Sequence, residues 1–129
     1  MNTPDTSPER DMLLIADDDK SNLDGLLLLA EESGVDGEHL LTAARGRAAL
    51  RIVESMHARL LAVCTDGRMQ DDVHGSVVAR RAIELGVPTV TILTGTPGDV
   101  PQEVSSLPGV TVLIKPARPD FAKMMGVKT

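Results

Sequence analysis

Short apolar runs punctuate this 129-residue chain at intervals that leave room for a helix between each pair. MLLIA (12–16), HLLTA (39–43), LLAVCT (60–65), PTVTIL (88–93) and VTVLI (110–114) are five or six residues of mostly branched or apolar side chains. Runs of that length, without strict alternation, read as strands buried on both faces. The segments between them carry helical spacing instead. Leu23, Leu26, Leu27 and Ala30 recur at three- and four-residue intervals in a helix predicted from about Ser21 and ended by Gly34. GRAALRIVESM (46–56) predicts a second helix, with Ala48, Ile52 and Met56 on one face and Ala49 and Val53 beside it. SVVARRAIELG (76–86) predicts a third, closed by Gly86 with Pro88 beyond. PQEVSSL (101–107) predicts a short fourth helix with Pro101 at its first position, and 119–125 a short final one. Strands alternating with helices imply a parallel α/β sheet covered on both faces.

In such a sheet the ligand crevice lies at the carboxyl ends of the strands. The first run ends in Asp17, Asp18 and Asp19, the third in Asp66, the fourth in Thr94–Gly95 and the fifth in Lys115–Pro116. The second offers only Thr42–Ala43. One aspartate after a strand is an ordinary helix cap. Three in a row, with a fourth carboxylate, a hydroxyl and an ammonium at neighbouring strand ends, point to a site built for a cation.

The rest of the composition narrows the classes. An apolar content of 42% supplies one core, and 25% charged residues are ordinary for a globular domain. With 13 basic against 19 acidic residues, the net charge of −6 argues against a nucleic-acid surface. No apolar stretch approaches the roughly 20 residues of a membrane span. MNTPDTSPER has no apolar core of a secretory signal, and residues 1–10 read as a flexible polar tail ahead of a domain at 11–129. The single Cys64 can form no internal disulfide, so a reducing cytoplasm is expected. His39, His57 and His74 match no metal spacing, and His74 reads as a surface residue.

The order ADDD (16–19), TAARGRAAL (42–50), TDGRM (65–69) with Gly75 downstream, LTG (93–95) and IKP (114–116) resembles the receiver domain of two-component response regulators. The resemblance spans Met12 to about Met125. It implies a flavodoxin-like doubly wound (βα)5 fold with strand order 2-1-3-4-5. It implies Asp66 as phosphoacceptor, Asp17 and Asp18 as the acidic pair holding Mg2+ or Mn2+ together with Asp66, and the backbone carbonyl of Arg68 as a further ligand. Thr94 corresponds to the hydroxyl that meets the phosphoryl group, Lys115 to the ammonium that neutralises it, and Arg68 and Thr96 to positions that tune dephosphorylation. Asp19 caps or borders the site. The implied protein is a signalling domain rather than a turnover enzyme. Its partner would be a histidine kinase or a histidine phosphotransfer protein, with homodimerisation through the fourth helix, fifth strand and fifth helix. No nucleic-acid or membrane partner is expected. The domain could stand alone or be part of a hybrid kinase.

Chemistry supports that assignment. Two unit charges at 4 Å repel by about 1 kcal/mol in water and about 4 kcal/mol at an effective dielectric of 20. Grouped carboxylates meeting a phosphoryl group therefore need cations, and magnesium binds carboxylate and phosphate oxygens. The sequence departs from the family in three places. Val112 replaces the usual aromatic three residues before Lys115, Gln70 replaces the usual proline after Met69, and the 66–75 span is one residue longer. With Gly67 in it, that loop is expected to be looser than in the family. Two other readings remain. One is a non-phosphorylated pseudo-receiver acting as an interaction module. The other is a haloacid-dehalogenase-type phosphatase using Asp17, Asp19, Thr94 and Lys115, for which only Asp120 follows as a late acid.

Overall fold

The structure, a computed structural model, describes residues 9–128. Strands β1 (Met12–Ala16), β2 (Leu40–Ala43), β3 (Leu60–Asp66), β4 (Thr89–Thr94) and β5 (Val110–Ile114) form one parallel sheet in the order β2-β1-β3-β4-β5. Between and after them run α1 (Lys20–Glu32), α2 (Gly46–Met56), α3 (Gly75–Glu84), α4 (Gln102–Ser105) and α5 (Phe121–Met124). The fold expected from the sequence, including the strand order, is the one observed.

Each face of the sheet has its own core because strand side chains alternate. Leu13 and Ile15 point to the same side as Ala62, Cys64, Ala30 of α1 and Phe121 of α5. Leu14 and Ala16 point to the other, against Ala49 and Val53 of α2, Val78 and Ala82 of α3 and Val104 of α4. All five residues of β1 are buried, as a strand flanked on both edges and covered on both faces must be. β5 is an edge strand and only half covered, with Ile114 56% exposed.

Local chemistry sets the element ends. Asp19 caps α1 by accepting from Asn22 N–H at 3.0 Å. Gly34 and Gly86 take φ of +98° and +90° just beyond α1 and α3, where side-chain-bearing residues are disfavoured. Single 3-10 turns at Gly37–His39, His57–Arg59 and Pro97–Asp99 were not expected from periodicity. Pro101 caps α4 instead of occupying its first turn, and α4 is shorter than the seven residues its sequence pattern spans.

Two expectations are corrected. In α2 the buried residues are Gly46, Ala49 and Val53, while Ala48 is exposed. A Cβ on Gly46 would lie 1.7 Å from the Val73 carbonyl oxygen, so the 66–75 loop seats against the start of α2 and turns that face inward. Arg10, assigned to the tail, is anchored: its Nη1 donates to the His57 and Leu60 carbonyls at 2.7 and 3.0 Å. The remainder of the expected tail, residues 1–8, lies outside the described residues.

Candidate functional site

Strand register brings the chemical groups together. Ala16 is level with Thr65, Asp66 with Leu93, and Thr94 with Ile114. The next residues in each strand direction, Asp17, Asp66, Thr94 and Lys115, therefore emerge on one rim. Carboxylate oxygens of Asp17, Asp18 and Asp66 all lie within 4.8 Å of one another. Lys115 Nζ stands 3.1 Å from Asp66 Oδ1 and 4.0 Å from Asp17 Oδ2.

The three carboxylates differ in setting. Asp17 is 1% exposed. Its Oδ1 accepts the Asp19 N–H at 2.9 Å, and its Oδ2 is buried with no hydrogen-bond partner. Burial pushes its carboxyl pKa up; the Asp19 hydrogen bond and Lys115 oppose this, while Asp66 and Asp18 add to it. Asp18 and Asp66 are half-buried and open to the rim. An orphaned, buried carboxylate oxygen flanked by two more carboxylates is costly unless a cation is bound there. The all-oxygen donor set fits a hard divalent ion such as Mg2+.

Asp66 begins a loop that returns to α3, and this loop is tightly held. Gly75 N–H donates to the Gly67 carbonyl at 3.1 Å, closing the loop at its neck. Asp71 caps α2 from a distance in sequence, its carboxylate accepting Gly46 N–H at 3.2 Å and Arg47 N–H at 3.0 Å. The Arg47 N–H bond is the main reason that the Asp71 carboxyl pKa is lowered. Arg47 also pairs with Asp72 through a fork of bonds of 2.7–3.0 Å. Met69 N–H donates to His74 Nδ1 at 3.1 Å.

Gly67 does not loosen this loop: a Cβ there would sit 2.8 Å from both Cβ and Oγ1 of Thr94. It is a glycine so that β4 can press against the acceptor loop. Hydrogen bonds thus engage the loop at its neck and in its middle, although its sequence suggested a looser segment. His74 is exposed, as expected of a surface residue, but its bond to Met69 N–H and the capping role of Asp71 are what sequence reasoning missed. Their partners in α2 and the loop leave no trace in local periodicity.

Thr94 is 2% exposed, and its Oγ1 accepts Thr96 N–H at 3.0 Å. Arg68 is exposed, its Nε 3.8 Å from Asp99 Oδ2. Val112 lies half-buried against the α2–α4 core. Two clefts flank the carboxylates. One, of about 430 Å3, runs from Asp17 and Lys115 between α1 and the 116–119 segment, past Gly25, Leu28 and Pro119. The other, of about 300 Å3, is lined by Gly67, Arg68, His74, Thr94 and Asp99. Asp19 is occupied as the α1 cap, and Asp120 caps α5 by accepting Lys123 N–H at 3.1 Å.

No family model matches the sequence, and no curated protein does. Solved structures do match. A response regulator receiver domain protein from Clostridium thermocellum shares 24% identity at a TM-score of 0.73, over 89% of this chain and 90% of its own. A response regulator receiver protein from Sinorhizobium medicae shares 21% at 0.75, over 92% and 97%. A CheX–CheY–BeF3–Mg complex from Borrelia burgdorferi matches at 20% and 0.68, over 88% and 83%. Identities this low establish the fold: five parallel strands wound as in response-regulator receiver domains.

Proposed function

We propose that this chain is a receiver domain that takes a phosphoryl group onto Asp66 from a histidine kinase or a phosphotransfer protein and relays the signal by a change of conformation. One observation carries the reading: carboxylate oxygens of Asp17, Asp18 and Asp66 within 4.8 Å of one another, with Lys115 3.1 Å from Asp66. The Borrelia burgdorferi structure, similar in fold, is a complex with magnesium and BeF3, which supports the same chemistry here.

Asp17, Asp18, Asp66 and the Arg68 carbonyl would hold the divalent cation, most simply Mg2+ or Mn2+. When bound, such an ion neutralises negative charge on the carboxylates and on the transferred group. The chain supplies the rest. Asp66 carries the nucleophilic oxygen. That oxygen bonds to phosphorus as the bond from phosphorus to the donor breaks, the donor departing with the electron pair. Lys115 balances the charge that accumulates on the acyl phosphate. Thr94 Oγ1 accepts from Thr96 N–H and lies 3.4 Å from Thr96 Oγ1, so its hydroxyl proton can turn from that neighbour to a phosphoryl oxygen. Such a shift of Thr94 would move the 94–100 segment and bias a two-state equilibrium. Turnover of an external substrate is not part of this role.

The same reading assigns the protein to the cytoplasm; no helix among the described residues is long and apolar enough to cross a membrane. A second copy docking on α4, β5 and α5 would cover exposed Ile114. The pseudo-receiver alternative draws support from Val112, which cannot make the inward swing of an aromatic. The phosphatase alternative loses its late acid, because Asp120 is engaged as a helix cap.

Mass spectrometry after treatment with acetyl phosphate, with and without Mg2+, tests the assignment. The expected result is one Mg2+-dependent phosphoryl adduct that Asp66→Asn abolishes. Unchanged labelling of that variant moves the acceptor elsewhere, and no labelling of the wild type favours the interaction module.

A further inference from the structure

The Arg68–Met69 peptide is trans and planar, so its N–H and C=O point in opposite directions. Its N–H donates to His74 Nδ1 at 3.1 Å. Whatever fixes that N–H therefore fixes the Arg68 carbonyl. For Nδ1 to accept, the ring proton must sit on Nε2. The two ends of this contact differ: Met69 is buried, whereas His74 is exposed. Met69 is 5% exposed and packed in the α2–α4 core. His74 lies directly before α3, next to Gly75, whose Cβ position is blocked by the Asp66 carbonyl oxygen at 2.1 Å. The imidazole thus bridges the closely packed start of α3 and the middle of the acceptor loop.

We infer that His74 is a positioning residue, clamping the Arg68–Met69 peptide so that the Arg68 carbonyl is held ready for a divalent cation. The inference rests on the site proposed above, and it adds a side chain that neither touches the ion nor carries charge in the required form. It also gives the loop, one residue longer than usual for the resemblance and lacking a proline after Met69, a substitute for that stiffness. Peptide-plane rotation is the freedom such a loop would otherwise keep, and a single acceptor on the amide removes it. Outer-sphere partners that orient a ligand govern metal affinity in this way.

The test is calorimetric titration of Mg2+ alone into the full chain and into His74→Ala and His74→Asn, with thermal unfolding in EDTA alongside. His74→Ala should weaken Mg2+ about tenfold, the lower end of what losing an orienting partner costs, while metal-free unfolding stays cooperative. His74→Asn, whose Oδ1 can accept the same N–H, should recover most of the affinity. Wild-type affinity in His74→Ala overturns the inference and leaves the site intact. Affinity in His74→Asn as weak as in His74→Ala overturns it as well, and so does a His74→Ala variant that no longer unfolds cooperatively in EDTA. Absence of Mg2+ binding by the wild type sinks the site itself.

Discussion

Lys115 Nζ and Asp66 Oδ1 are 3.1 Å apart, an ion pair joining the end of β5 to the end of β3 across β4. The ammonium stands where a divalent cation's charge would also act. It is a partner of the carboxylates and a competitor of the metal.

Removing Lys115 should therefore separate two properties. A unit charge and a divalent ion about 5 Å apart repel by about 1.7 kcal/mol at the dielectric of water. Lys115 is a third exposed, so screening keeps the effect near that lower limit. Lys115→Ala is expected to tighten Mg2+ by about tenfold while slowing acetyl phosphate labelling. Titration calorimetry and labelling rates check the two arms. Weaker Mg2+ binding would contradict the competition.

Asp17 gives a pH dependence of the metal-free protein. Its pKa in the folded state is raised above 3.8, chiefly by burial. Between the unfolded and folded pKa values the native state holds more protons than the unfolded state, so stability falls as pH rises through that window. Asp17→Asn should remove this loss and raise the melting temperature in EDTA at neutral pH. The same variant should show no stabilisation by Mg2+. A melting temperature lower than wild type in EDTA would show that the orphaned Oδ2 is not a burden.

Gly67→Ala places a methyl group 2.8 Å from Thr94 Cβ and Oγ1. Overpacking of this kind costs about 1–3 kcal/mol. The displacement falls on the hydroxyl proposed to meet the phosphoryl group, so chemical denaturation should show the loss and labelling should slow. Wild-type values for both would place Thr94 farther from the loop than the structure does.

Phe121 is the chain's only aromatic residue and is fully buried between the sheet and α1. Phe→Ala in a core costs about 3–5 kcal/mol. Phe121 is the one fully buried residue of the four-residue α5, with Met124 partly buried beside it. Phe121→Ala should lower stability by that amount in a urea melt and raise amide exchange across 119–127. A loss well under 1 kcal/mol would mean that the α1–α5 side collapses to fill the space.

Much of this molecule could be read from its sequence. Strand limits followed from apolar runs ended by charge, as at Ala16–Asp17 of the fully buried β1 and Ile114–Lys115 of the half-covered β5. The convergence of Asp17, Asp66, Thr94 and Lys115 followed from parallel topology alone. Strand order came from resemblance, since periodicity carries no information about neighbours. The orientation of α2 was misjudged because Gly46 counts as neutral in an apolar pattern, yet its missing side chain decides which face can approach the loop. Asp71 looked like one more loop acid. Its role as an α2 cap depends on a partner 25 residues earlier, beyond the reach of any local rule. His74 escaped for the opposite reason: its partner is near, but an imidazole accepting an amide has no motif.

The side-chain hydrogen bonds of the acceptor loop described above lie on one side of Asp66. Asp71, Asp72 and His74 tie residues 67–75 to α2 and to themselves, whereas residues 95–99 beyond Thr94 are exposed throughout. The domain thus has a stiff flank and a yielding one. Crowding at the Asp66 carboxylate would meet bonded side chains towards α2 and α3, and is expected to be relieved towards β4, β5 and the sheet's open margin at Ile114.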